Sequence, residues 1–545
     1  MVRGLYALNR WLRMTPWQVV LCLLVPIVLL PGLACAAFLG LFLQADDMAE
    51  VALWHDAYLW RVWRFTLGQA ALSTGLSVLL AIPMACALLR RPQFPGRTLL
   101  LRSMEVTLVL PALVAVLGLI SVYGRQGVVA QLGNMMGFSW SWRPYGLDGI
   151  VFAHLFFNVP LVARLLLQAL ERQPREHWLL VSQLGLQRSA IWRTIEWPVI
   201  RQYLPGLGAL VFTLCFTSFA IVLTLGGGPG ATTLEVAIYQ ALRFDDAPGQ
   251  AAFLALLQLA SCAVIWLWSH RHVQSLSVSG AFYGDRPCRP DQGGFAWLSD
   301  GFSILLLIGL IWPPLVLVIG QGLSGVPALW SQSLIWAALG RSLMIALGAA
   351  LVAVVLAVSL QAGIRQLRLY GHERLGQWLA VSGRMTLMVP AMVLGTGLFV
   401  LLKPWVLMVN QSLFWVALLN GLMAVPFVLQ SLPAMHSRGE QGPIRLLLSL
   451  GLTGWARWRW WLWPQWRGPI GLSLGYAMAL SLGDFGVIAL LGMPSEPTLT
   501  QLLHQQLGHY RTEGAAATAV TLLLVQAMGF MFWRHCLRPA RSKRF

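Results

Sequence analysis

One carboxylate stands out because it lies inside an apolar run. Asp484 falls within the apolar stretch 468–491 and is followed directly by Phe485. An aspartate at the centre of a membrane-spanning segment costs about 3 kcal/mol on insertion scales, so it should face protein or water rather than lipid. A carboxylate beside aromatic rings could attract a cation through charge and through cation–π contact. The sequence leaves a second interpretation open, in which Asp484 packs between helices and bonds a serine or the backbone.

A second set of residues recurs at a fixed offset of 266 positions. A glycine, a tryptophan, an arginine and a proline follow one another in each copy: Gly185, Trp192, Arg193 and Pro198, then Gly451, Trp458, Arg459 and Pro464. The same offset relates Phe219 to Phe485 and makes Ser218 the counterpart of Asp484. An offset shared by several segments indicates an internal repeat, which constrains the architecture more strongly than any local motif.

The two Gly–Pro segments are polar, basic islands in an apolar chain. Glycine allows the positive φ of a sharp turn, and proline with its preceding residue interrupts a helix. The pattern therefore predicts a helix, a break at glycine, and a second short helix that ends at proline. Trp192 or Trp458 would be available to a groove on a partner, as in helix-in-groove docking. The alternative is an ordinary interfacial loop.

Several other chemistries find no support in the residue pattern. The chain has two lysines, Lys403 and Lys543, and neither lies in a glycine-rich phosphate-binding loop. Its seven cysteines include no C-x-x-C pair and fall mostly in apolar runs, so they indicate packing rather than metal binding. The ten histidines are scattered without a ligand spacing. We therefore expect no catalytic residues, no metal and no ATP hydrolysis by this chain.

Composition indicates a polytopic, all-α membrane protein. Hydrophobic residues make up 57% of the 545 residues and charged residues 11%, whereas soluble domains carry about 25% charged residues. Apolar runs of about 20 residues, enough to cross a bilayer, recur along the chain. We predict twelve spans, at about 17–43, 66–89, 104–123, 147–169, 204–226, 250–269, 301–323, 340–362, 383–402, 409–432, 468–491 and 515–533.

The net charge of +18 is a topology signal rather than a sign of nucleic-acid binding. Most basic residues fall in the even-numbered connections between the twelve spans and at the two termini. Because cytoplasmic loops of membrane proteins are enriched in lysine and arginine, this distribution predicts cytoplasmic N- and C-termini.

The repeat divides the chain into two halves of six spans. Residues 1–269 form the first half and 301–545 the second, and the polar stretch 270–300 reads as a cytoplasmic linker. An even number of spans gives both halves the same orientation, so the repeat should be parallel, with a pseudo-twofold axis along the membrane normal.

The Gly–Pro segments resemble the cytoplasmic coupling loop of binding-protein-dependent ABC transporter permeases. That loop carries Glu-Ala-Ala, three residues, glycine, and then an aromatic residue and Leu-Pro. This chain keeps the glycine, aromatic and proline but has Leu179-Leu180-Val181 and Arg445-Leu446-Leu447 at the Glu-Ala-Ala positions. The resemblance implies a type I importer fold and contact of both segments with two copies of an ATPase that binds ATP-Mg, with no cofactor in this chain.

Longer motifs resemble the thiamine/thiamine-pyrophosphate ABC permeases of Gram-negative bacteria, which are fused, double-length chains. The matching segments are SVYGRQG at 121–127, LGGGP at 225–229, ATTLE at 231–235, AIYQAL at 237–242 and SLGDFGV at 481–487. The resemblance implies an inner-membrane importer served by a periplasmic binding protein. It also implies a pathway lined by the fifth span of each half, where Asp484, Ser218, Phe219 and Phe485 would converge around cationic thiamine.

Three alternatives remain open at this point. An iron(III) or polyamine ABC permease would share the same architecture. A secondary transporter predicts an inverted repeat or buried proton relays, and a polytopic enzyme predicts a cluster of carboxylates or histidines at one face. For two carboxylates the sequence also predicts the surroundings. Glu105 should pair with Arg102, and Glu235 should lie in a solvated outside loop.

Overall fold

The computed structural model describes residues 32–42, 55–137, 142, 144–270, 294–369, 371–385, 389–402, 411–432, 450, 456, 459–460, 463–493, 495–509 and 511–537. These residues are predominantly α-helical, as expected for a protein that must satisfy its backbone hydrogen bonds within lipid.

The helices are numbered in chain order. Those of the first part of the chain are α1 Leu33–Phe42, α2 Ala57–Arg90, α3 Arg97–Thr107, α4 Ala112–Tyr123, α5 Val128–Met135, α6 Leu147–Glu171, α7 Arg175–Gln183, α8 Arg188–Ile191, α9 Trp197–Phe216, α10 Ala220–Leu225, α11 Leu234–Arg243 and α12 Pro248–His270. Those of the second part are α13 Gly294–Trp330, α14 Ser333–Leu369, α15 Glu373–Met385, α16 Ala391–Leu402, α17 Gln411–Ser431, α18 Trp463–Gly483, α19 Gly486–Leu491, α20 Leu499–Gly508 and α21 Thr512–Cys536.

Contacts divide the chain into two compact units. Unit A comprises Met48–Ser331 and Leu502–Val520, and unit B comprises Met1–Asp47, Gln332–Gln501 and Thr521–Phe545. Helix α13, whose first residues up to Asp300 had been predicted as linker, thus belongs to unit A, and α1 belongs to unit B. The predicted halves follow the repeat in the sequence rather than these contacts, and they stay a prediction.

Unit A is built around α2. This helix packs against α6, α9 and α13, and α4 also packs against α13. The apolar faces of α2, α6 and α9 bury Met84, Phe156 and Phe216 completely. At the other end of the unit, α11 packs on α12. Its first N–H, at Leu234, donates to the hydroxyl of Thr66 on α2 over 3.0 Å.

Unit B is built around α14, which packs against α17 and α18. Leu356, Leu360, Leu419 and Val425 are among the buried side chains of this interface. Helix α1 packs on α16 at very close range, because Gly397 lies directly against the backbone of Ala37. Small residues allow membrane helices to approach in this way.

Nine helices within the described ranges are long and apolar enough to cross a membrane. They are Ala57–Arg90, Ala112–Met135, Leu147–Glu171, Arg188–Phe216, Pro248–Ile265, Ala296–Trp330, Ser333–Leu367, Ser412–Ser431 and Thr512–Cys536. Each overlaps one of the twelve predicted spans, and Ala391–Leu401 forms a shorter apolar helix within a tenth. The all-helical, polytopic class is therefore confirmed, and the count of twelve stays a prediction.

Candidate permeation and coupling sites

The apolar run that carries Asp484 is two helices rather than one. Helix α18 ends at Gly483, and α19 begins at Gly486, so Asp484 and Phe485 occupy the break between them. Helix α9 and helix α10 are separated in the same way by 217–219, which contains Ser218 and Phe219. Membrane proteins tolerate non-helical backbone where protein or a cavity surrounds it. The apolar runs predicted as the fifth spans, 204–226 and 468–491, are therefore each interrupted by a break.

The carboxylate of Asp484 interacts with the start of α19. The backbone N–H groups of Gly486, Val487 and Ile488 and the side-chain amide of Asn420 lie near this carboxylate. Free N–H groups and the helix dipole make a helix start favourable for negative charge. The second oxygen, Oδ2, is buried and has no hydrogen-bond partner among the described residues. The buried Oδ2 thus retains its capacity to accept a hydrogen bond.

A buried polar contact joins α17 and α18 three residues before the aspartate. Asn420 on α17 donates to the hydroxyl of Ser481 on α18 over 3.1 Å. In unit A, Asn158 of α6 donates to the sulfur of Cys215 on α9 over 3.2 Å. Cys215 and Ser481 are 266 residues apart, so they occupy equivalent positions in the repeat. Both units therefore join two neighbouring helices by a buried polar contact just before the break.

The aromatic residues beside the two breaks are buried. Phe219 and Phe485 expose 5% and 4% of their surface. The ring of Phe219 packs edge-on against Tyr239 of α11, with centroids 5.3 Å apart. Ser218 and Phe219 belong to unit A, whereas Asp484 and Phe485 belong to unit B. Phe219 thus packs within unit A, and the predicted convergence of these four residues remains a prediction.

The first Gly–Pro segment turns at glycine as predicted. Gly185 follows α7 with a φ of +61°, in the left-handed region that favours glycine. The predicted end of the second helix at Pro198 was wrong. Helix α8 continues through a π-helical turn, Trp192–Glu196, into α9, and Pro198 lies in the first turn of α9. The wider hydrogen-bonding of the π turn and the early position of the proline allow the helix to continue despite the missing N–H.

The most exposed apolar side chains of this segment precede the glycine. Leu179, Leu180 and Leu184 expose 40%, 53% and 69% of their surface, whereas Trp192 is half-buried and packs against Trp197 with ring centroids 5.8 Å apart. Arg193 and Pro198 are exposed. The leucines before the glycine thus supply more exposed apolar surface than Trp192, whose predicted role in docking stays a prediction.

Of the second segment, Gly451 and Trp458 lie outside the described residues. Arg459 is exposed and stacks its guanidinium over the ring of Trp460, 5.9 Å from the centroid. Pro464 lies in the first turn of α18, as Pro198 does in α9.

A buried cluster of charges joins this segment to two long helices of unit A. Asp300 on α13 accepts from Arg90 Nε over 2.9 Å and from Arg90 Nη2 over 2.7 Å. Its other oxygen accepts from Arg91 Nε over 3.2 Å. Glu196, in the π turn, lies 3.8 Å from Arg90 Nη1. Arg90 and Arg91 end α2, so the cluster ties three elements together. Sequence reasoning had placed Asp300 in a polar linker and missed it.

Two other carboxylates differ from expectation. Glu105 accepts from Arg164 of α6 over 2.9 Å, so its partner is not Arg102. Glu235 is buried in α11 rather than solvated, and it accepts from Gln258 of α12 over 2.8 Å. Both partners are distant in sequence and adjacent only in the folded bundle, which is why spacing along the chain did not reveal them.

A comparison with family models supports the resemblance for the first part of the chain. Residues 77–277 match the model of the binding-protein-dependent transport system inner membrane component family. This range contains the first Gly–Pro segment and the first helix break.

Full-length relatives are similar over nearly their whole length. The thiamine transport system permease protein ThiP of Salmonella typhimurium is 43% identical over 515 residues, covering 92% of this chain and 95% of the relative. ThiP of Escherichia coli K12 is 43% identical over 513 residues, with the same coverage. ThiP of Haemophilus influenzae is 38% identical over 498 residues, covering 91% and 92%. The chain therefore belongs to the thiamine transport system permease family, and it is a multi-pass inner-membrane transport subunit of the binding-protein-dependent, ABC type rather than an enzyme.

Proposed function

We propose that this chain is the membrane-spanning subunit of an ATP-driven importer that carries thiamine and its phosphates from the periplasm to the cytoplasm. The observation that carries the proposal is 43% identity to a thiamine transport system permease over 92% of the chain. A periplasmic binding protein delivers the ligand, and two copies of a cytoplasmic ATPase bind ATP-Mg and drive the cycle.

The proposed architecture is twelve spans in two parallel repeats, with both termini in the cytoplasm. The helix boundaries support the repeat. Helices α9 and α18 begin 266 residues apart, at Trp197 and Trp463, and α10 and α19 cover positions with the same offset at both ends. Equal breaks at equal spacing favour duplication of a single structural unit.

The proposed ATPase-coupling residues are Gly185, Trp192, Arg193, Pro198, Gly451, Trp458, Arg459 and Pro464. For the first copy, the exposed leucines of α7 and its end, Leu184 above all, enlarge the proposed docking surface. An exposed apolar face on a short helix suits insertion into a groove, and the turn at Gly185 presents it. Closure of the ATPase pair would then displace these segments and open the pathway outward.

The proposed pathway residues are Asp484, Ser218, Phe219 and Phe485. Thiamine carries a fixed positive charge on its thiazolium ring. The unpartnered Oδ2 of Asp484 supplies a negative charge in a non-helical break, which is the arrangement that transporters of other folds use for charged ligands. Phe219 and Phe485 are buried beside the two breaks, where they would line the pathway next to Ser218 and Asp484.

Uptake by the reconstituted complex tests this function. The permease, its ATPase and its binding protein are placed in proteoliposomes with ATP inside, and accumulation of radiolabelled thiamine is followed. We expect uptake that requires both partners and ATP, and that excess thiamine pyrophosphate inhibits. Uptake driven by an ion gradient without ATPase would identify a secondary transporter. ATP-dependent uptake of iron(III) or a polyamine, with none of thiamine, would reassign the substrate.

A further inference from the structure

The charge cluster of unit A is neutral overall and almost wholly buried. It pairs the guanidinium groups of Arg90 and Arg91 with the carboxylates of Glu196 and Asp300. Glu196 and Asp300 each expose 1% of their surface, and Arg90 exposes 5%. Buried charges are strongly unfavourable unless each is matched by a partner in good geometry. The π turn, α2 and α13 carry these charges and are therefore held in one arrangement, because moving one of them alone would leave a buried charge without its partner.

The 188–196 segment is attached to α13 at both of its ends. At its start, Arg188 donates to the hydroxyl of Ser299 through Nη1 and Nη2, over 3.2 and 3.3 Å. At its end, Glu196 reaches Arg90, which in turn is bonded to Asp300. Ser299 and Asp300 are neighbours in the second turn of α13. One point near the start of this helix thus receives both ends of the segment.

We propose that Glu196 and Asp300 are positioning residues that lock the first Gly–Pro segment, here also called the first coupling segment, to α2 and α13. Displacement of this segment then moves both helices with it. Arg90 is the shared link, since it bonds Asp300 through two nitrogens and faces Glu196 with the third. The inference rests on the proposed function, because it assumes that the ATPase moves this segment.

The carboxylate of Glu196 has no equivalent in the sequence of the second copy. The residue 266 positions after Glu196 is Leu462, which cannot form an ion pair. The second copy therefore lacks the carboxylate that Glu196 supplies in the first. Loss of charge at Glu196 or Asp300 uncouples the first segment and leaves the second unaltered.

The test compares neutral variants in the complete transporter. Asp300→Asn and Glu196→Gln keep the shape of each side chain and remove its charge. The matched control is Glu171→Gln, which breaks the partly exposed pair of Glu171 and Arg97, 3.2 Å apart in the same unit. Each permease is reconstituted with its ATPase and binding protein, and ATP hydrolysed per thiamine imported is measured together with the amount of ATPase that co-purifies.

We expect ATPase to co-purify normally with both cluster variants and the ATP consumed per thiamine to rise about fivefold or more, the lower end of measured coupling effects. The control should stay within about twofold of the unaltered chain, as expected for an exposed pair. Asp300→Glu, which restores the charge, should recover part of the coupling. A purely structural role would lower the yield of complex without changing this ratio.

The outcomes separate the inference from the proposed function. If the variants assemble and hydrolyse the ordinary amount of ATP per thiamine imported, the inferred lock is wrong and the proposed importer function is unaffected. If the unaltered chain imports no thiamine or binds no ATPase, the proposed function itself is wrong. If neither neutral variant accumulates while Asp300→Glu accumulates with an ordinary ratio, the cluster serves folding alone and the inference is overturned.

Discussion

Asp484 and Ser218 occupy equivalent breaks but differ in charge. The break after α18 holds a carboxylate whose Oδ2 is buried with no partner in the described part of the chain, and the break after α9 holds a neutral hydroxyl. Retaining such a group has a cost, because an unsatisfied buried acceptor destabilises the fold by about 1–3 kcal/mol. A carboxylate retained at this cost, at the start of a short helix, is a candidate for intermittent contact with a cation.

Replacing Asp484 tests whether the charge serves transport. We expect Asp484→Asn to lower the initial rate of thiamine uptake about tenfold, which corresponds to the loss of about 1.4 kcal/mol of attraction. Uptake of radiolabelled thiamine in proteoliposomes measures the effect. Asp484→Glu is the charge-retaining control, and it should keep much of the rate. Ordinary uptake by Asp484→Asn would leave the aspartate with a packing role only.

At the scale of the element, the turn at Gly185 depends on conformation and not on space. A Cβ at this position would meet no atom within 4 Å, but its φ is +61°. Non-glycine residues pay about 1–2 kcal/mol in the left-handed region, and asparagine is the one that visits it most readily. The turn therefore offers a substitution test in which side-chain clashes play no part.

We expect Gly185→Ala to weaken ATPase binding about fivefold to tenfold, because part of the population would lose the orientation of α7. Binding of purified ATPase to the permease in nanodiscs, followed by light scattering or fluorescence, measures this change. Gly185→Asn is the control and should bind nearly as the unaltered chain does. Equal binding by all three would show that the turn does not set the docking surface.

The contact of α1 with α16 depends on space instead. Gly397 lies against the backbone of Ala37, so any added Cβ would push the two helices apart. We expect Gly397→Ala to destabilise unit B by about 1–3 kcal/mol, as overpacking commonly does. The measurement is the thermal unfolding midpoint in detergent. Gly340→Ala, on α14 of the same unit with no atom within 4 Å of its Cβ, should leave the midpoint unchanged or higher.

At the scale of the whole molecule, orientation follows from the distribution of charge. The predicted linker, 270–300, and both termini carry arginines that the positive-inside rule assigns to the cytoplasm. Fusions of green fluorescent protein and of alkaline phosphatase after residue 285 and at the C-terminus test this. We expect fluorescence and no phosphatase activity at both positions. Phosphatase activity at either position would show that this part of the chain lies in the periplasm, and the predicted orientation or number of spans would then be wrong.

The sequence by itself determined the class, the family and the local turn. Lack of charge over long runs requires a membrane, the motifs around 225–242 and 481–487 identify the family, and glycine at 185 predicts a positive φ. These features depend on composition or on neighbouring residues, so they can be recognised without a fold. The sequence also marked Asp484 as unusual, because an aspartate in an apolar run is costly wherever the run packs.

Tertiary structure decided how helices break, continue and pair. A hydropathy pattern does not distinguish a continuous span from one interrupted at Asp484, and it does not show that a π turn carries α8 past Pro198. The partners of Glu105 and Asp300 lie 59 and 210 residues away along the chain, on helices that meet only in the packed bundle. Periodicity reports which face of a helix is apolar, whereas long-range pairing depends on which helices become neighbours.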